Sequence, residues 1–170
     1  MRIVIDANVL FAALLARGKT AELLFSESIE PLAPELLFIE LERNMDELLE
    51  KTKLKEEYVN ILLALLKERV RIIPKEEFSD KLSKANELLR GHSKDTEFVA
   101  LALKLGCPLW SKEKRLKRIP GLVVLEADEV AAASKGELAE SLAKKSKLTM
   151  KDAEDFSKKI KSEAAKKFRK

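Results

Sequence analysis

Five short apolar runs, separated by longer stretches with helical spacing, constrain this chain more than any other feature. Arg2–Ile5 reads Arg-Ile-Val-Ile and stops at Asp6. A β-branched run of that kind suits a strand buried on both faces. Glu30-Pro-Leu-Ala33, Val70–Ile73, Pro108–Trp110 and Leu122–Leu125 read as the other strands. The intervening segments are helical: Val9–Leu15 and Thr20–Ser26 with a break near Gly18, then Pro34-Glu35 opening a helix that runs to about Lys51. Leu54–Arg69, Ser79–Leu89 and the apolar stretch Asp95–Leu105 complete the set. Alternation of this kind is best explained by parallel α/β packing, with right-handed crossovers placing helices on both faces of one sheet. In such sheets chemistry gathers beyond the carboxyl ends of the strands, at a topological switch point.

Composition narrows the class. Apolar residues make up 46% of the 170, enough for a core, and charged residues 36%, against about a quarter in ordinary domains. The single cysteine, Cys107, excludes a disulfide within the chain and reads as a small buried residue. No uncharged run approaches the roughly 20 apolar residues of a membrane span. The N-terminal apolar stretch is interrupted by Asp6 and Asn8, so it reads as strand and helix rather than a leader. A cytoplasmic protein without membrane contact is expected. Glutamine is absent and asparagine occurs only at positions 8, 44, 60 and 86, a thermophile-like bias.

The strand ends direct attention to carboxylates. Asp6 ends the first strand, where a charge must find a partner, a cation or water; capping the next helix is the structural alternative, with Asn8 as a rival cap. On a helical wheel Glu40 falls inside the apolar arc of Leu36, Leu37, Leu41, Met45 and Leu48, whereas Glu35, Glu42, Asp46 and Glu50 fall opposite. A core-facing acid needs compensation, from an arginine such as Arg43 or Arg71 or from a site. Asp95 opens an apolar helix, where complementing the helix dipole is the ordinary role. Glu113 follows the strand ending at Trp110. Acids converging on one rim would repel one another and raise their pKa values unless a cation intervened. Oxygen donors without a histidine or cysteine cluster suit Mg²⁺ or Mn²⁺, and such ions serve phosphodiester hydrolysis. The only histidine, His92, reads as a polar loop residue, and Trp110 as core.

Four segments, in order, resemble the PIN domain, a family of metal-dependent ribonucleases: Val4-Ile-Asp-Ala-Asn-Val-Leu10, Pro34-Glu-Leu-Leu-Phe-Ile-Glu-Leu-Glu-Arg43, Asp95-Thr-Glu-Phe-Val-Ala-Leu-Ala-Leu103 and Pro108-Leu-Trp-Ser-Lys-Glu113. The resemblance covers roughly residues 1–130. It implies a three-layer α/β/α fold with strand order 3-2-1-4-5 and an acidic site for one or two divalent ions, Mg²⁺ or Mn²⁺. Asp6, Glu40 and Asp95 match the family's acids. Glu113 stands where the family usually has aspartate, and His92-Ser93-Lys94 stands where it often has further acids. Asn8 and Ser111 match positions that support the site by hydrogen bonding. The implied function is endoribonuclease activity on RNA, as a toxin with an antitoxin-like partner or as a processing enzyme, in a homo-oligomer. A non-catalytic RNA-binding PIN domain is the alternative. An aspartyl-phosphate phosphatase of another doubly wound fold is disfavoured, because no second aspartate stands two residues after Asp6.

The tail reads as a separate unit, dividing the chain into a nuclease-like domain at 1–133 and a basic helical extension at 134–170. The extension holds twelve Lys/Arg against six Asp/Glu, net +6, and leaves a body of 21 basic and 23 acidic residues, net −2. A basic tail attracts polyanions. Glu137–Ala143 reads as one helix, Lys144–Leu148 as a turn, and Thr149–Asp152 as the capped start of a second helix, so a helical hairpin is expected.

Overall fold

The computed structural model describes residues 1–15, 18–52, 54–91 and 93–146, with the backbone alone described at residues 93 and 137–146. Five strands form one parallel sheet: β1 (Arg2–Ile5), β2 (Glu30–Pro34), β3 (Arg71–Ile73), β4 (Leu109–Trp110) and β5 (Val124–Leu125). Their order is β3-β2-β1-β4-β5, and every pairing is parallel. This is the order the resemblance implied. The chain reverses direction across the sheet between β1 and β4, so the switch point lies there. The register sets Val4 against Leu109 and Ile5 against Trp110. Asp6 and Ser111 therefore leave the sheet side by side.

Helices cover both faces. The helices α1 (Ala7–Leu15) and α2 (Lys19–Leu24) connect β1 to β2. Then α3 (Leu36–Arg43), α4 (Met45–Thr52) and α5 (Glu56–Arg69) connect β2 to β3. Between β3 and β4 run α6 (Leu82–Leu89) and α7 (Thr96–Leu105). Contacts separate the layers: α1 meets α2, α3 and α4, whereas α6 packs on α7, which covers β1, β2 and β4. The core is the buried sheet with these inner helix faces, including Ile3, Val4, Ile5, Phe78, Leu101 and Trp110. Each such side chain stabilises the fold by about 1.5–3 kcal/mol.

Three departures from the sequence reading bear on the site. Pro34 ends β2 rather than opening a helix, and pairs with Ile73. The single helix expected to about Lys51 is broken at Asn44. There the side-chain amide donates to the Glu40 carbonyl at 2.8 Å, and the Asn44 backbone N–H donates to the same oxygen at 3.1 Å. The Asn44 backbone itself leaves helical geometry, at φ −103° and ψ 21°, and an asparagine side chain that bonds locally to the backbone favours such a position. Finally, α8 (Ala127–Ser146) is one continuous helix, so residues 144–146 of the expected turn are helical. The run Ala131-Ala-Ala133 carries the helix forward from Val130. The remainder of the expected hairpin, and His92, lie outside the described residues.

Cys107 is half-buried rather than buried, and that burial raises its thiol pKa. Trp110 is fully buried, as the sequence suggested. On α5, Tyr58, Ile61 and Leu65 are exposed. Among the described residues no helix is long and apolar enough to cross a membrane.

Candidate metal centre

At the carboxyl ends of β1 and β4 lies a cleft of about 540 Å³ whose lining includes Asp6, Asn8, Glu40, Asp95 and Glu113. All four acids singled out from the sequence thus face one space, delivered by a strand end, a helix, a helix start and a loop. Ser111 does not line the cleft; it lies fully buried beneath it.

Asp6 combines two roles. Its Oδ1 accepts the Val9 N–H at 2.9 Å, capping α1, while its carboxylate also faces the cleft. A cap does not exhaust a carboxylate, which has roughly four lone-pair sites. Asp6 also donates its backbone N–H to the Trp110 carbonyl at 3.3 Å, which ties the end of β1 to β4. Ser111 stands beside the Asp6 carboxylate, near enough to oppose the rise in its pKa. The Ser111 Oγ accepts the Glu113 N–H at 3.1 Å. One buried hydroxyl therefore stands between the Asp6 side chain and the loop that carries Glu113.

Glu40 is half-buried, as its wheel position required, whereas Glu35, Glu42, Asp46 and Glu50 are exposed. Arg71 is not its partner, being paired with Glu30 at 3.4 Å. Arg43 lines the same cleft and acts on Glu40 only as a charge nearby. Asp95 precedes α7 but makes no side-chain cap bond to it. Its Oδ2 instead accepts a hydrogen bond from the Arg115 guanidinium at 2.5 Å. The same guanidinium stands 3.6 Å from Glu113.

The electrostatics are those of crowded acids. Burial pushes the Asp6 carboxyl above its usual value, and the charge of Asp95 adds to this, against Ser111 and the hydrogen bond from the Val9 N–H. Burial also raises Glu40, with the charges of Asp95 and Asp6 adding to it and Lys94 and Arg43 opposing. Among the described residues neither Asp6 nor Glu40 makes an ion pair. Arg115 compensates the Asp95–Glu113 side of the cleft, whereas Lys94 and Arg43 act on Glu40 only as nearby charges. Arg115 is the site residue that sequence reasoning missed. It lies in a charged loop without periodicity, and no spacing distinguishes it from Lys112, Lys114 or Lys117.

Whether these residues fit a divalent ion is a question of donor chemistry. Among the described residues no three acidic, histidine or cysteine side chains stand together as a ready ion cage. Mg²⁺ does not need one, since it keeps several waters and takes one or two carboxylates together with phosphate oxygens. Hard oxygen donors and like-charge crowding fit such an ion.

Comparisons with known proteins agree on the fold. The family model described as PIN domain matches residues 4–135. No curated protein matches the chain at a significant level. Among solved structures, VapBC2 from Rickettsia felis, bound to a DNA fragment from its promoter, is similar at a TM-score of 0.56 and 19% identity, covering 74% of this chain and 98% of that one. A toxin–antitoxin complex from Klebsiella pneumoniae gives a TM-score of 0.55 at 15% identity, covering 74% of this chain and 97% of that one. VapBC-1 from nontypeable Haemophilus influenzae gives 0.55 at 20% identity, covering 75% and 99%.

Proposed function

From the premise that this chain belongs to the PIN-domain family, we propose that it is a divalent-metal-dependent endoribonuclease that hydrolyses RNA phosphodiester bonds in the acidic cleft. The observation that carries this reading is the convergence of Asp6, Glu40, Asp95 and Glu113 on one cleft, with Asp6 and Glu40 raised in pKa by burial and by neighbouring acids. Those four residues would hold one or two ions, Mg²⁺ or Mn²⁺. When bound, the ion supplies charge neutralisation at the phosphate and activation of water.

The chain's own residues do the rest. Ser111, beside the Asp6 carboxylate, holds the backbone at Glu113 through its hydrogen bond to that N–H. Asn8, exposed on the cleft wall, offers an amide to a substrate or a bound water. Arg115 places a planar donor at the edge, suited to a phosphate oxygen.

The biological role we propose is that of a toxin held by an antitoxin-like partner, with RNA processing as the alternative. The support is structural likeness to toxin–antitoxin assemblies. A cytoplasmic homo-oligomer completes the proposal; sedimentation of the full chain tests the assembly state.

One observation favours a second reading, a non-catalytic RNA-binding PIN domain: Arg115 already pairs with two of the four acids. Incubation of a mixed RNA pool with Mg²⁺ or Mn²⁺ decides between them. Metal-dependent cleavage by wild type that is absent in EDTA and in Asp6→Asn supports the nuclease. RNA binding without cleavage supports the second reading.

A further inference from the structure

Arg115 belongs to two clefts. It edges the acidic one, and it also lines a neighbouring groove of about 470 Å³ together with Arg90 and Arg118. Among the described residues Glu87 is the single acid lining that groove, and Leu88 and Pro120 give it apolar surface. Arg115 is paired with Asp95 and Glu113. By contrast, among the described residues Arg90 and Arg118 make no ion pair, and both are exposed. Three arginines therefore line one groove against a single acid, and two of them stand outside any ion pair among the described residues. Convergence of this kind costs folding energy through repulsion and favours an anionic ligand.

The backbone adds a second observation. Arg90 closes α6 in the left-handed conformation, at φ 49° and ψ 45°. It is the one non-glycine residue with positive φ among the described residues. Glycine and asparagine take that conformation at lower cost. A turn that needed only to end the helix would be served by either. The strain thus accompanies a charged side chain placed at the groove.

We propose that this groove is the track for the RNA backbone beside the scissile bond. Arg90 and Arg118 contact phosphates of nucleotides adjoining the one in the acidic cleft, and Arg115 stands at the junction. The inference rests on the nuclease reading and names where its substrate runs. RNA is favoured over an acidic protein segment because Arg115 lines both the groove and the acidic cleft, so the two stand side by side. A phosphodiester bound among the acids must have its neighbouring phosphates close by. Guanidinium groups bind phosphate oxygens bidentately, which suits both holding and registering a strand.

The test uses the full chain and a short fluorescent oligoribouridylate, first in EDTA so that nothing is cleaved. The variant is Arg90→Asn with Arg118→Gln; asparagine tolerates the left-handed turn, so a folding defect is avoided and a melting curve checks it. The control is Arg2→Gln with Arg71→Gln, which removes the same charge from the opposite ends of β1 and β3. The groove variant should bind about tenfold more weakly. Its slope of log affinity against log salt should fall by about 1.4, at roughly 0.7 for each phosphate no longer neutralised. The control should match wild type in both. With Mg²⁺ the groove variant should show a raised KM.

Affinity and slope unchanged in the groove variant would overturn the proposal and leave the groove to an acidic protein segment. Equal losses in the control would also overturn it, as a mere effect of net charge. A wild type that cleaves while the groove variant behaves normally rejects the track alone. Arginine-dependent binding without cleavage in Mg²⁺ or Mn²⁺ rejects the nuclease reading and leaves the track standing.

Discussion

Asp6 illustrates how one residue serves fold and chemistry together. As an N-cap it stabilises α1 through Val9, and asparagine caps about as well. As a buried acid with a raised pKa it destabilises the folded state when ionised. Because its folded pKa lies above the ordinary 3.8, the native state holds the proton longer than the unfolded chain. The penalty is therefore absent below about pH 3.8 and grows as pH rises through the interval up to the folded value. Asp6→Asn should make the metal-free protein more stable at pH 7, with a gain that shrinks toward pH 4; thermal melts in EDTA across that range check it. Ser111→Ala should lower cleavage or metal affinity by about 10–100-fold while barely changing the core, since it removes the hydroxyl beside Asp6 that holds the Glu113 backbone. Glu113→Gln should lose far more activity than Glu50→Gln, an exposed acid outside the cleft. Equal near-normal rates would leave a three-carboxylate centre. Three of the acids were legible because each follows a strand or opens a helix, places where sequence order implies position, whereas Ser111 came from the family resemblance. Glu40 was legible from a wheel. Arg115 was not, because loop conformation alone turns its side chain toward Asp95.

The elements explain why these side chains meet. Register between β1 and β4 sets Ile5 against Trp110, so Asp6 and Ser111 emerge together at the switch point. Trp110→Ala should cost about 3–5 kcal/mol in chemical denaturation. It should also reduce cleavage in the fraction that stays folded, because Ser111 and Glu113 follow directly on β4. The strands and most helices were legible from apolar periodicity. The strand order came from family resemblance, since periodicity places strands in the chain and not in the sheet. The break at Asn44 was illegible because apolar spacing continues through it and only the local conformation of one residue departs from the helix. The early start of α8 was illegible for the opposite reason, an alanine run with no period to read. The basic tail beyond Ser146 lies outside the described residues, and its part in RNA binding is a proposal resting on charge. Replacing Lys158, Lys159, Lys166 and Lys167 together by glutamine should weaken RNA affinity and flatten its salt dependence, measured by anisotropy across a salt series. An unchanged slope in a folded variant would assign the tail to packing or to a protein partner.

At the scale of the whole molecule, charge is arranged rather than averaged. The net charge of +4 divides into an acidic body and a basic tail. Within the body, the four candidate acids share one cleft with Arg43, Lys51, Lys94 and Arg115, and Arg115 joins Arg90 and Arg118 in the groove beside it. That juxtaposition suits a polyanion whose reacting phosphate needs a metal and whose neighbours need guanidinium groups. The claim on which the account rests is that Asp6, Glu40, Asp95 and Glu113 form one ion-binding centre. Scanning calorimetry of wild type and Asp6→Asn, with and without millimolar Mg²⁺ or Mn²⁺ at pH 7, tests it most directly. An ion that binds only the folded state adds about 2.7 kcal/mol at a hundredfold excess over its Kd. The melting temperature of wild type should rise clearly with the metal. Most of this rise should be lost in Asp6→Asn, which should melt no lower than wild type without metal. A wild-type melting temperature that does not move at millimolar ion would contradict such a centre.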